Sequence, residues 1–464
     1  MNSTPEQLQF ASIAGYTIRA DFHGGGLSCD LGPLLLQGVD RQTGLTERLC
    51  AALKDRRHPG YITHTLHELL KQRVYQIASG YEDGNDCNTL RHDPMFRLGV
   101  GRQAFDTGEA SAALASGATL SRFEHAMDSK AIYRLSTALL DQFIASYASA
   151  PEVLLLDLDH AEDAIHGQQP LAFYNPHYRS TCYLPLMIFE GLSGALVAAV
   201  LRPGKRPTGA ENVMILKRVL KRLRAHFPHT QILVRGDGHF GTPKLMALIE
   251  AMPHTDFLFG LTSNVALNRL AQPALGQACA QWAQAQTRDV IPDSVRVYED
   301  FPYAASTWGK RARRVVLKAE VMALGERPRF VVTSLEAPDS QCVYEQLYCA
   351  RGQAENWIKQ IKTDLASDRT SCTTFLANFM RLLEHAAAYV LHQQLRTQAL
   401  RHTALARAQP ATVIAKLFKM AVQVRQFKDR VILHLPTSCP VRSLLHTVTQ
   451  RLCVPKPASL PRPP

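Results

Sequence analysis

The run VLLLDLDH, residues 153 to 160, constrains this chain more than any other segment. An unbroken apolar stretch of that length fits a strand buried on both faces, and its terminal acids place carboxylates at the strand's carboxyl end. The run QILVRGD, residues 231 to 237, repeats the arrangement with a single acid. Between them, LPLMIFEGLSGALVAAVL, residues 184 to 201, nominally reaches the length of a membrane span. Glu190 and the GLSG turn divide it, so it reads as a hairpin of two buried strands.

The intervening segments alternate with helices. TGAENVMILKRVLKRLRAHF carries Val213, Leu216, Leu220 and Leu223 at helical spacing beside Lys217, Arg218, Lys221, Arg222 and Arg224, the pattern of a basic amphipathic helix. PKLMALIEAM reads as a further helix and DFLFGL as a strand. The resulting order, three strands, helix, strand, helix, strand, matches an α/β ribonuclease H-like core.

A chain of 464 residues is too long for that core alone. Residues 1–150 read as a mostly helical N-terminal region assigned to DNA binding, and 151–262 as the first part of the core. Residues 263–340 read as a β-rich insertion containing VRVYEDF, RRVVLKAEVM and RFVVTSLE. Residues 341–400 hold a core helix and a long apolar packing helix. Residues 401–464 form a C-terminal region whose KPASLPRPP tail is expected to be disordered.

Lysine and arginine number 52 against 40 aspartates and glutamates, a net charge of +12 that favours a polyanionic partner. The ten cysteines form no CxxC pair, so they read as reduced thiols of a cytoplasmic protein rather than as a zinc site or disulfide framework. The N-terminal MNSTPEQLQF has neither the basic start nor the apolar run of a secretory signal, and no membrane association is expected.

Cutting and rejoining a phosphodiester requires an activated water or hydroxyl and a stabilised leaving oxygen, which two Mg²⁺ ions roughly 4 Å apart provide. Such hard cations take oxygen ligands, so carboxylates from separate elements must converge. Asp159 and Asp237 end the two acid-tipped strands, and Glu355 lies on the helix after the insertion. On a regular helix, at about 100° per residue, Tyr348, Arg351, Glu355 and Lys362 keep within an arc of roughly 60°. One face then carries an acid among three groups able to hold phosphates.

The spacing Tyr-x2-Arg-x3-Glu-x6-Lys resembles the signature helix of DDE transposases of bacterial insertion sequences. The strings LDLDHAED, HGQQ, ILVRGDGHF and LYCARGQAENWIK are similar to those of its thirteen-eighty group. The resemblance spans nearly the whole chain. It implies a ribonuclease H-like catalytic core with a β-rich insertion, two Mg²⁺ or Mn²⁺ ions and cleavage of element ends followed by strand transfer. It also implies binding to terminal inverted repeats and target DNA, and a homodimer or larger synaptic complex. Two other functions fit the same residues: a metal-dependent nuclease or resolvase that cuts without joining, and a silent DNA-binding protein derived from a mobile element.

Several residues admit two readings. Asp157 and Asp159 share one face of their strand, and Asp159 is preferred because it lies nearer the end, with Asp157 as the substitute. Alone, Asp237 in RGDGHF reads as a turn-capping aspartate. The basic face of the 209–225 helix and the loop Arg202, Lys205, Arg206 are equally suited to DNA or to solvent. HGGG at 23–26 reads as a turn, since no GxSxG elbow accompanies it. Trp308 reads first as a core residue and second as a stacking platform for an extruded base.

Overall fold

The computed structural model describes residues 7–107, 111, 113–287, 292–309, 311–337 and 339–453; the KPASLPRPP tail lies outside them. The chain divides into two compact units, Met127–Ala386 and the combination of Met1–Ala126 with Ala387–Pro464.

The Met127–Ala386 unit is a mixed α/β structure around an eight-stranded sheet. It begins with helix α1 (Ser129–Ile144), followed by strands β1 (Val153–His160), β2 (Leu186–Glu190) and β3 (Leu196–Val200). Helix α2 (Gly209–His226), β4 (Gln231–Gly236), α3 (Pro243–Glu250) and β5 (Thr255–Leu261) complete the first part. Then come α4 (Val265–Leu270), α5 (Gln272–Ala285), β6 (Ser294–Tyr303), β7 (Arg313–Met322) and β8 (Gly325–Thr333). The strand order is β6-β7-β8-β5-β4-β1-β2-β3. β4 runs parallel to both β1 and β5, while β1–β2, β2–β3, β5–β8, β8–β7 and β7–β6 are antiparallel.

The pleat sorts the side chains of the central strands. Leu154, Leu156 and Leu158 of β1, with Ile232 and Val234 of β4, pack into one core with Leu140 and Phe143 of α1, Leu216 and Leu220 of α2, and Leu245 of α3. Leu155 and Leu233 point the other way, toward Val343 and Tyr344. Asp157 and Asp159 have the parity of Leu155, so the strand's acids face the side covered by the segment after residue 341.

Local chemistry explains the elements that position this sheet. The β2–β3 turn is closed by Glu190, which is buried and accepts bonds from the Ser193 amide at 2.7 Å and the Ser193 hydroxyl at 2.6 Å. A carboxylate inside an apolar hairpin is tolerated because its oxygens are satisfied there. Helix α2 starts with a Thr208/Glu211 capping box. Much of its basic charge is used within the unit: Arg222 forms a bidentate pair with Asp141, Arg224 donates to the carbonyls of Phe227, Pro228 and Thr230, and Arg218 lies over the Tyr133 ring. Arg202 is likewise buried against Glu211 at 2.9 Å, and Lys205 sits 4.2 Å from the Phe173 ring.

The insertion differs from its sequence reading. Its three strands extend the same sheet beyond β5, but they are preceded by the six-residue α4 and by α5, whose alanine- and glutamine-rich sequence favours helix and carries little apolar periodicity to announce it. Ala274 and Leu275 of α5 join the core with Leu317 and Ala319 of β7. Trp308 belongs to this core, 9% exposed, with Tyr303 edge-on and Arg313 over its ring.

The other unit contains helices Gly32–Thr43, Leu66–Ala78 and Gly117–His125 among its elements, together with strands absent from the sequence reading. Gln7–Ile13 and Tyr16–Asp21 form an exposed ribbon whose turn residues, Ala14 and Gly15, both have positive φ, the geometry of a tight hairpin turn. Leu27–Asp30 pairs with Lys419–Gln426, joining sequence-distant ends of the unit in one small sheet. HGGG is a bend leading into it, with Gly25 at φ +75°. Among the described residues, no helix is long and apolar enough to cross a membrane.

Candidate active site

Register brings the two strand-end aspartates together. In the parallel β1–β4 pair, Asp157 lies opposite Arg235 and Leu158 opposite Gly236. Continued one residue past this last pair, the register brings Asp159 alongside Asp237, whose charge is felt at the Asp159 carboxyl.

The two rungs have different fates. Arg235 Nε and Nη2 donate to Asp157 Oδ1 and Oδ2 at 2.6 and 2.7 Å, and both side chains are 1% exposed. Burial raises the Asp157 carboxyl while the two Arg235 bonds oppose it. Asp157 is thus committed to Arg235 in the interior. Asp159, one rung higher, is 16% exposed in its side chain and has Arg351 Nη1 at 3.8 Å. Its carboxyl is pushed up to about 6, chiefly by burial and further by the negative charge of Asp237 and Glu355, against the opposing pull of Arg351.

Asp237 ends β4 and folds its own turn: Oδ1 accepts the His239 amide at 2.9 Å, and His239 Nδ1 stands 3.0 Å from Oδ2. The turn-capping role read for this aspartate therefore coexists with its place beside Asp159. His160 stacks on Phe240 with ring centroids 4.9 Å apart, and burial holds its imidazole down at about 3.

The segment carrying Glu355 is not one regular α-helix. Cys342–Tyr348 and Gln360–Asp364 wind in wide π turns, Cys349–Gly352 in a tight 3-10 turn, and Gln353–Lys359 in α geometry. The even 100° spacing expected for Tyr348, Arg351, Glu355 and Lys362 therefore fails, because π turns hold more residues per turn than α turns. Tyr348 and Arg351 stay together, the guanidinium 5.5 Å from the ring. Gly260 makes room for Tyr348: a Cβ there would fall 2.7 Å from the hydroxyl oxygen and 3.2 Å from the Asp237 carbonyl carbon. Lys362 diverges, donating to the Glu162 carbonyl, with buried Asp163 as an electrostatic neighbour. Glu355 is exposed, on the segment's α turn. Trp357, two residues on, anchors that turn against Phe189 and against Gly194, whose absent Cβ would sit 2.7 Å from the indole.

Three contributors were not singled out from sequence. Arg235 shares the parity of Asp237 two residues on, which was a usable signal. His239 follows Asp237 in a short aspartate turn. Tyr178, in the loop between the short strands Phe173–Asn175 and Ser180–Tyr183, is electrostatically coupled to Asp159 and Asp237, and nothing in NPHYRS announces it.

Asp159, Asp237 and Glu355 offer the hard oxygen donors that Mg²⁺ or Mn²⁺ takes. Among the described residues, no three His, Cys, Asp or Glu side chains stand close enough to hold one ion as placed.

No curated protein matches the chain. Four solved chains match, among them a piggyBac transposase from the cryo-EM structure of its synaptic complex with hairpin DNA. That similarity has a TM-score of 0.43 at 11% identity, covering 84% of this chain and 80% of that one. The family model for the transposase DDE domain, group 1, matches residues 10–456, nearly the whole chain, and the protein therefore belongs to the DDE transposases.

Proposed function

We propose that Asp159, Asp237 and Glu355 are the acids of this transposase, within a ribonuclease H-like core formed by β3-β2-β1-β4-β5 and extended by β8, β7 and β6. The observation that carries this is that Asp159 lies at the carboxyl end of β1 and Asp237 directly follows the adjacent parallel strand β4, with the charges of Asp237 and Glu355 both felt at the Asp159 carboxyl. Asp159 is preferred to Asp157 because both Asp157 oxygens already accept from Arg235 in the interior.

The reaction has two transfers. In the first, water attacks the phosphodiester at the element end, the oxygen–phosphorus bond forms, and the 3′-oxygen leaves with a proton as a free hydroxyl. In the second, that hydroxyl attacks a target phosphodiester, releasing another 3′-hydroxyl and joining the strands. Divalent ions, when bound, supply Lewis-acid activation of the attacking oxygen and charge neutralisation at the leaving one. Asp159, Asp237 and Glu355 would hold them, with Glu355 drawn toward the aspartates.

Arg351 faces Asp159, its Nη1 3.8 Å from the carboxylate, and is placed to meet a phosphate beside it. Tyr348 supports Arg351 through its ring and presents its hydroxyl over the Asp237 turn. Lys362, bonded to the Glu162 carbonyl, serves by fixing the end of the glutamate segment, and a direct phosphate contact requires it to leave that carbonyl. DNA carrying the terminal inverted repeats, together with target DNA, is the substrate, and the chain acts as a homodimer or larger synaptic complex.

The test is Glu355→Gln on a labelled duplex carrying the flanking element end. Cleavage is lost while end binding persists, because the charge removed serves metal. A folded variant that loses binding instead overturns the assignment.

A further inference from the structure

We infer that Arg235, fixed by Asp157, is a positioning residue that sets the Glu355-bearing segment against the Asp159 rung; this rests on the acid assignments above. The guanidinium spends two donors on Asp157, and its third nitrogen, Nη1, donates to the Leu347 carbonyl at 2.7 Å. Leu347 precedes Tyr348 and lies four residues before Arg351 and eight before Glu355. The planar fork makes the three bonds interdependent, so one rigid group ties β1, β4 and the segment after residue 341 together.

Three further observations favour positioning over simple filling. The carbonyl that Arg235 takes is in the π-wound part of the segment, where regular helical bonding is interrupted. Room for the pair is kept by Gly191, where a Cβ would fall 2.4 Å from Arg235 Nη2 and 2.7 Å from Asp157 Oδ2. A buried ion pair is also a weak source of net stability compared with apolar residues of the same size, whereas its geometry is highly directional.

The experiment uses the full chain with Arg235→Lys, which keeps the charge and loses the fork. Hydrogen exchange over residues 343–358 is expected to quicken selectively while β1 and β4 keep their protection. End affinity stays within about twofold, cleavage at saturating DNA falls about 100-fold, and Mn²⁺ binding read by loss of the free-ion EPR signal weakens about 10-fold. A purely structural role lowers protection everywhere and leaves no selective loss at 343–358. A folded Arg235→Lys protein with wild-type exchange and Mn²⁺ affinity overturns the inference.

If Arg235→Lys does not fold, Gly191→Ala is read by the same measurements, since it wedges the clamp while keeping both charges. If Asp159→Asn and Glu355→Gln still cut DNA, the acid assignments fail, whereas the exchange result judges the clamp separately.

Discussion

Arg235 and Asp157 form a bidentate ion pair buried one rung beneath Asp159 and Asp237, so two aspartates on one strand face have unlike work. Asp157 is part of the framework, and Asp159 reaches the mouth of the site.

Substitutions at these two positions therefore separate. Asp157→Asn leaves the buried guanidinium without its counter-charge and lowers unfolding free energy by about 3–5 kcal/mol. Asp159→Asn, which removes a carboxylate crowded by Asp237 and Glu355, leaves stability unchanged or higher. Denaturant unfolding of both variants checks the contrast, and equal destabilisation contradicts it.

Gly194→Val is expected to strain a backbone at φ +72° and to drive a side chain into Trp357. The cost is at least about 1 kcal/mol for the positive φ alone, and cleavage falls because the turn bearing Glu355 loses its seat. Unchanged thermal midpoint and cleavage rate count against the docking described for Trp357.

Trp308→Ala removes a large side chain from the core under α5 and β7, with an expected loss of about 3–5 kcal/mol. Trp308→Phe recovers much of that stability. If Trp308→Ala instead leaves stability intact and impairs only DNA processing, the stacking role replaces the core role.

His392 gives the fold a pH dependence. Its Nε2–H donates to the Ala78 carbonyl at 2.7 Å, the ring stacks on Phe418, and burial holds the imidazole down at about 4. The unfolded chain binds the proton more readily, so this contribution is present above pH 6.5 and is lost as pH falls from 6.5 toward 4. The full effect is about 3 kcal/mol. Comparing unfolding of wild type and His392→Gln from pH 7 to 4 checks this: the variant shows the shallower slope, and parallel slopes contradict the assignment.

The strands of the site were legible because VLLLDLDH and QILVRGD combine burial with terminal acids. Side-chain parity placed Asp157 and Asp159 on one face but said nothing about which carboxylate was already paired. That answer depends on the β1–β4 register, a long-range property, although Arg235 carried the right parity. The contact of Lys362 with the Glu162 carbonyl was not legible, because a regular helical period does not hold where Gln360–Asp364 winds in π turns. Helix α5 is hard to read because its alanines and glutamines leave a faint apolar stripe, and α4 has only six residues in which to show a period. The N-terminal ribbon has no buried face, so the usual alternation had little to register.

The most direct measurement is Mg²⁺-dependent cutting and joining of a labelled duplex carrying the flanking element end, with binding followed in parallel. Wild type is compared with Asp159→Asn, Asp237→Asn and Glu355→Gln. The structure predicts that wild type cuts and joins while each variant binds the end without cutting it. A folded Asp159→Asn protein that cuts at the wild-type rate contradicts the account.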